Sequence, residues 1–380
     1  MPGIYLHIPF CKQACHYCNF HFSTSLQQKD ALLQAMLREL ALRRDYLGAE
    51  PIESIYFGGG TPSLLDTDDL ARLFEQMHQL FTIAPHAEVT LEANPDDLTD
   101  AKIEALRQTP VNRLSIGIQS FSDADLQFMN RAHNSAEASR CIQTALAAGF
   151  DDLSIDLIYG TPTMSDAQWV ANIEAVLAHD VPHLSCYCLT VEPKTPLDHF
   201  VKKGKAPAVD EAQATRQLAY LMERLKTAGY EHYEISNFAK PGRYSRHNTN
   251  YWTGESYLGI GPSAHSFDGR SRQWNVANNA LYIRALAQEN TDLALLFEKE
   301  ILTPSQRYNE YVMTTLRTQW GCRLERIRAI EEAFEEHFLQ EVATFLEDGT
   351  VQRKGDVFCL TQQGKFLADH IASELFWIED

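Results

Sequence analysis

Two periods alternate along the first half of the chain. From Ile4 to about Leu189, short β-branched or aromatic runs give way repeatedly to longer segments whose apolar residues recur at helical spacing. The short runs predict strands over 4–8, 54–57, 88–92, 113–118, 153–158 and 183–189. The longer segments predict helices over 26–47, 66–81, 99–108, 123–131, 135–148 and 165–179. In the first helix Leu33, Met36, Leu40 and Leu47 form one apolar stripe. Strict alternation of this kind predicts parallel strands covered by helices, either as an open doubly wound sheet or as a complete or partial (β/α) barrel.

The residues that follow the strands favour the barrel. Strand one leads into three cysteines, strand two into Gly58-Gly59-Gly60-Thr61-Pro62, and strand three into Glu92-Ala93-Asn94-Pro95. Strand four ends in Gly117-Ile118-Gln119-Ser120, and strand five carries Asp156 ahead of Tyr159-Gly160-Thr161-Pro162. In a parallel barrel such strand ends converge on one face, where sites are built.

Beyond residue 190 the pattern predicts a helix over 211–228 and an extended segment over 230–235. The Gly-, Asn- and Tyr-rich stretch 239–269 reads as too irregular to be helical. After Thr303-Pro304 the chain turns strongly helical, with a helix over 334–347, a hairpin over 351–360 around Lys354-Gly355, and a last helix over 362–376. Helix, two strands and helix predict a small α+β winged-helix-like domain. Residues 320–380 hold 6 basic and 13 acidic side chains, a net charge of −7, which predicts a packing or partner-docking module rather than a DNA-binding one. The expected division is 1–240, a connecting segment 241–300, and 301–380.

Net charge over the whole chain is −18, which repels a phosphate backbone, so nucleic acid is not an expected partner. No run of about 18 apolar residues could span a bilayer, and the N-terminus has neither signal nor transit character. An integral membrane protein is therefore not expected. Eight cysteines, three of them within eight positions and the rest scattered, do not form a disulfide framework and point to the cytoplasm.

Cys11, Cys15 and Cys18 supply three thiolates in a loop short enough to wrap one cuboidal cluster. An all-protein [4Fe-4S] site takes four cysteines, so here one iron would stay open. An open iron can chelate the amino and carboxylate groups of S-adenosylmethionine (SAM), and electron transfer can then cleave it to a 5′-deoxyadenosyl radical. A zinc site completed by His7, His16 or His21 is the chemical alternative. Zinc sites, however, usually come as two short pairs rather than one compact triplet.

This CxxxCxxC loop after Tyr5-Leu6-His7-Ile8-Pro9-Phe10, together with Gly58–Pro62 and Ser154–Gly160, resembles the radical SAM group that contains oxygen-independent coproporphyrinogen III oxidase and the haem chaperone HemW. The resemblance covers nearly the whole chain. The oxidase carries a further cysteine two residues after the third, whereas Asn19 and Phe20 follow Cys18 here. Arg246-His247-Asn248-Thr249-Asn250-Tyr251-Trp252 matches the HNxxYW signature of the HemW branch, and only four residues precede Tyr5, without the longer N-terminal extension of the oxidase.

The resemblance implies a partial (β/α) TIM-like barrel of the radical SAM type. Tyr5 and Tyr17 would flank the cluster and SAM, while Gly59, Gly60 and Thr61 would meet the methionine end of SAM, where a missing Cβ lets backbone approach a ligand. Glu92 would accept from ribose hydroxyls, and Gln119, Arg131 and Asp156 would complete the polar SAM shell. His247 would ligate haem iron, with His265 in Gly261-Pro262-Ser263-Ala264-His265 as its competitor. The implied function is a haem chaperone that passes haem to acceptor haemoproteins and takes electrons for its cluster from a donor. Oxidative decarboxylation of coproporphyrinogen III is the alternative; it would need Arg or Lys partners for the propionates near the strand ends. Oxidase activity is not expected on the chaperone reading.

Overall fold

Six β/α repeats, as expected, make up the first half of the computed structural model, which describes residues 2–288 and 292–379. They run β1 (Gly3–Ile8), α1 (Lys29–Leu42), β2 (Ile52–Gly59), α2 (Thr67–Leu80), β3 (Ile83–Ala93), α3 (Asp100–Arg107), β4 (Arg113–Gln119), α4 (Asp123–Phe128), α5 (Ser135–Ala147), β5 (Leu153–Tyr159), α6 (Asp166–Ala178) and β6 (His183–Cys188). Each strand pairs in parallel with the next, with Tyr5 beside Tyr56, Glu92 beside Ser115, and Asp156 beside Ser185. The result is a partial barrel.

Strand side chains point alternately to opposite faces, and here the two faces differ in chemistry. Ile4, Leu6, Ile55, Phe57, Leu91, Leu114, Ile116, Ile155, Leu157 and Leu184 point outward and are at most 1% exposed beneath the helices. Each such burial contributes about 1.5–3 kcal/mol. Cys186 lies on the same outward face and is buried. Ser54, Tyr56, Glu88, Thr90, Glu92, Arg113, Ser115, Ser154, Asp156, His183, Ser185 and Tyr187 hold the alternate positions and line the interior.

Downstream come α7 (Pro196–Lys202), α8 (Glu211–Thr227), β7 (Glu231–Glu234) and β8 (Asn237–Ala239), then α9 (Arg246–Thr253), β9 (Tyr257–Ile260), β10 (His265–Phe267), β11 (Ser271–Asn275), α10 (Asn279–Leu286) and β12 (Phe297–Ile301). β9 runs parallel to β1, and β10, β11 and β12 extend that edge antiparallel, while β8 and β7 extend the other. The twelve strands form one continuous sheet.

Here the structure corrects the sequence reading. The stretch 239–269 is not wholly irregular: residues 246–253 are helical, and strands β9 and β10 follow. The helix forms because Ser245 caps it, accepting from the Asn248 amide at 3.4 Å, and because Gly254 ends it at φ 74°. Glu88, reaching across from β3, accepts from the amides of Arg246 and His247 at 2.8 and 2.9 Å. A carboxylate at a helix N-terminus is favourable, and this one comes from 158 residues away.

The C-terminal domain holds α11 (Pro304–Leu316), β13 (Cys322–Arg323), α12 (Leu324–Ile330), α13 (Glu332–Glu347), β14 (Val351–Lys354), β15 (Val357–Leu360) and α14 (Ala368–Glu374). Its three strands form a separate sheet, and Tyr308, Val312, Phe334, Phe338, Phe358 and Ile371 centre a core of its own. It meets the barrel beside β7. The amide of Gln319 donates to the carbonyl of Tyr233 at 2.9 Å, and Arg317 pairs with Glu234 at 3.2 Å while covering the Trp252 ring at 5.3 Å. No helix among the described residues is long and apolar enough to cross a membrane.

Ser245→Ala should cost about 1 kcal/mol through loss of the α9 cap, read as a lower urea midpoint. Ser245→Asn should recover most of it.

Candidate cluster and cofactor site

The cysteine loop leaves the C-terminal end of β1 and folds over the barrel mouth. Backbone bonds from the Cys11 amide to the Ser23 carbonyl at 3.0 Å and from the His16 amide to the Met129 carbonyl at 3.1 Å hold its two sides. Cys11, Cys15 and Cys18 are half-buried free thiols. They are near enough for the charge on one to raise another: burial, with lesser contributions from Cys18 and Cys15, pushes Cys11 up to about 11, and burial also raises Cys18. Among the described residues no three His, Cys, Asp or Glu side chains surround a common ion position.

A polar chain ties the loop to three strand ends. Thr61 lies beside Cys11, where its hydroxyl partly opposes the upward push of burial on the thiol, and it accepts from the Asn94 side-chain amide at 3.1 Å. Arg131 donates to Asn94 Oδ1 at 2.6 Å, to the Gly117 carbonyl at 2.8 Å and to Cys15 Sγ at 3.3 Å. Its positive charge also lies close enough to the buried Tyr17 hydroxyl to oppose the effect of burial there. One fixed positive charge therefore faces a group of sulfurs that must give up protons to bind metal.

The glycine run is required by this packing. A Cβ on Gly60 would stand 2.6 Å from the Phe10 carbonyl oxygen and 2.8 Å from that of Ile8, and Gly59 has φ +104° with the His7 ring 2.6 Å from its missing Cβ. Inside the mouth, Glu92 accepts from Tyr56 at 2.8 Å and from the Gly59 amide at 3.2 Å, and burial pushes its carboxyl up to about 7. Asp156 accepts from Ser115 at 3.3 Å and is likewise pushed up by burial, to about 6, with Arg113 opposing. Gln119 is buried at φ 66°, where the register of β4 on β5 slips. Tyr5 bonds His7 at 3.2 Å and stacks on Tyr56.

The structure thus brings Cys11, Cys15, Cys18, Tyr17, Thr61 and Arg131 into one connected group, with Gly59, Gly60 and Glu92 adjoining and Asp156 and Gln119 on the neighbouring strands. His247 lies elsewhere. Its Nδ1 meets Ser54 Oγ at 2.8 Å, its Nε2 meets the Tyr251 hydroxyl at 2.8 Å, and its ring stacks on Tyr56 with centroids 5.0 Å apart. A Cβ on Gly3 would come within 3.1 Å of Nδ1. The ring is therefore level with the start of β1, roughly 17 Å of strand from Ile8 at the mouth. It is 2% exposed.

Sequence reasoning passed over Asn94 and Tyr56, although period-two spacing puts Asn94 on the same face as Glu92 and Tyr56 on the same face as Ser54. It also passed over the Glu39–Arg43 pair of α1. Arg43 binds Glu39 at 3.1 Å, the Gly259 carbonyl at 3.1 Å and Gln273 at 2.7 Å, and Glu39 accepts from the Gly261 amide at 2.9 Å and from Asn275 at 2.8 Å. Two charges one helical turn apart, inside an otherwise apolar stripe, were the available signal.

Residues 5–176 match the radical SAM superfamily, and residues 302–367 match the HemN C-terminal domain. A Mycobacterium tuberculosis protein named "Heme chaperone HemW" is 35% identical over 377 residues, covering 98% of this chain and 94% of that one. A Bacillus subtilis protein of the same name is 32% identical over 378 residues, covering 98% of each chain. The solved structure of coproporphyrinogen III oxidase (HemN) from Escherichia coli superposes with a TM-score of 0.84 at 23% identity, covering 99% of this chain and 90% of that one, which establishes the shared fold.

Because the folded carboxyl of Glu92 titrates above its usual 4.5, its contribution to stability is present below the unfolded value and is lost as pH rises through about 7. Glu92→Gln in metal-free protein should therefore raise the urea midpoint above pH 7. The gain should vanish below about pH 5.

Proposed function

The chain belongs to the HemW family of radical SAM proteins, and from that membership we propose that it is a cytoplasmic haem chaperone, one that takes up haem and passes it to acceptor haemoproteins. Its resident groups would be a [4Fe-4S] cluster on Cys11, Cys15 and Cys18 and a SAM molecule at the same mouth, with an electron donor docking outside. The cluster, when bound, supplies an electron and an open iron to SAM.

The residues present have separable tasks. Cys11, Cys15 and Cys18 hold the cluster once deprotonated, and Arg131 balances their charge while fixing Cys15. Thr61 and Asn94 keep Cys11 in place. Gly59 and Gly60, packed against His7, Ile8 and Phe10 where no side chain fits, would set their backbone at the methionine end of SAM, and Glu92 can offer a carboxylate oxygen to ribose hydroxyls. Tyr5 and Tyr17 supply ring faces, while Gln119 and Asp156 line the remaining wall. For Asp156 the cost of burial is offset by the nearby charge of Arg113 and by the bond from Ser115.

His247 is assigned to bracing. Iron ligation there would break two buried hydrogen bonds and pull the ring out of an aromatic stack. Tyr251 holds it, and Trp252 carries the brace to Arg317 in the C-terminal domain. The division into 1–240, 241–300 and 301–380 is kept as a functional one: site, brace and docking module.

The observation that carries the chaperone reading over the oxidase is Phe20. It stands where the oxidase has its further cysteine and presents an aromatic ring, 67% exposed, in place of a thiol. The decisive assay is anaerobic. Reconstituted protein should contain iron and acid-labile sulfide, bind about one haem, and form no porphyrinogen product from coproporphyrinogen III. Product formed together with 5′-deoxyadenosine would establish the oxidase instead, and zinc without sulfide would remove the cluster.

A further inference from the structure

A groove of about 490 Å³ opens beside β10 and β11, lined in part by His265, Trp274, Val276, Ala277, Leu295 and Phe297. That volume falls in the range of small-molecule sites. Ser263, Asn275 and Glu298 add polar groups to its lining beside the imidazole, and Leu295 on its lip is 59% exposed.

His265 differs from the histidines of the barrel. Both nitrogens of His7 and of His247 are engaged in hydrogen bonds, and Nε2 of His21 is bonded to Asn279. Among the described residues no hydrogen bond reaches either nitrogen of His265, which is exposed on the open side of the sheet. Trp274 is its cross-strand neighbour, with ring centroids 6.4 Å apart and planes 31° apart. An unused imidazole beside an indole and an apolar wall is the donor set for a flat metallomacrocycle.

The turn that presents His265 is held under strain. Gly261 has φ +106° with the His7 carbonyl oxygen 2.6 Å from its missing Cβ, and Ser263 is left-handed at φ 64°. The buried Glu39–Arg43 pair fixes that turn through Gly259, Gly261 and Asn275. The turn follows β9, which runs parallel to β1, so it opens at the same end of the barrel as the cysteine loop. His21, in the segment after that loop, bonds Asn279 at 2.8 Å, and Asn279 lies two residues from groove residue Ala277.

We propose that this groove seats the haem, with His265 as an axial ligand to its iron and Trp274 against the macrocycle; the proposal rests on the haem-chaperone reading above. The test is an anaerobic optical titration of the full chain with ferric protoporphyrin IX. The wild type should bind about one equivalent with a histidine-ligated spectrum. His265→Ala should lose that spectrum and bind about ten-fold more weakly, and added imidazole should restore the spectrum. Leu295→Asp, on the exposed lip, should weaken binding without moving the thermal midpoint. Haem bound by His265→Ala with unchanged spectrum and affinity overturns the site and leaves the chaperone reading standing. A spectrum altered by His247→Ala but not by His265→Ala also overturns it. No haem uptake by the wild type overturns both.

Discussion

A barrel lined with polar groups has to pair them within itself, because an unpaired buried charge is costly. That constraint organises this structure. The outward faces of the strands are conventional core, but the inward faces carry Glu88, Glu92, Arg113 and Asp156, and each is placed by a partner from a distant part of the chain. Glu88 is met by the N-terminus of α9. Arg113, only 1% exposed, lies between the charges of Glu88 and Asp152. Glu92 is met by Tyr56 and Gly59.

The pairing gives the barrel two unlike ends. At the strand starts, α9 inserts His247 into a closed set of hydrogen bonds and stacked rings. From there a continuous path leads through Tyr56 to Glu92 and on to the glycine run. At the strand ends, Thr61, Asn94 and Arg131 join the cysteine loop to β2, β3 and β4, and Arg131 fixes the Cys15 sulfur among them. The segment carrying the HNxxYW signature thereby supports the site from below, and Trp252 extends that support to the C-terminal domain.

The edge of the sheet is governed by a second buried charge pair. Glu39 in the last turn of α1 and Arg43 at its C-terminal cap satisfy backbone and side-chain groups on β9, β10, β11 and the turn at Gly261. Replacing two apolar residues by a salt bridge is rarely a gain in stability; what this one contributes is geometry. It holds a strained turn, and with it His265, at the mouth beside the cysteine loop.

The six repeats, the strand-end motifs and the three cysteines were legible in the sequence because each depends on local spacing: period two for the strands, 3.6 for the helices, and a loop too short to place its thiols far apart. The winged-helix-like layout of the last 80 residues was legible for the same reason. The helical state of residues 246–253 was not, since its stability depends on Glu88 from β3, and a short segment without an apolar stripe gives no periodic signal. Nor could the sequence locate its histidines: His247 and His265 are both polar residues in a Gly- and Asn-rich stretch, and spacing treats them alike. Only tertiary packing separates them, closing both nitrogens of one inside the barrel and leaving those of the other open beside a groove. Local order follows from neighbouring residues, whereas the availability of a side chain depends on everything packed around it.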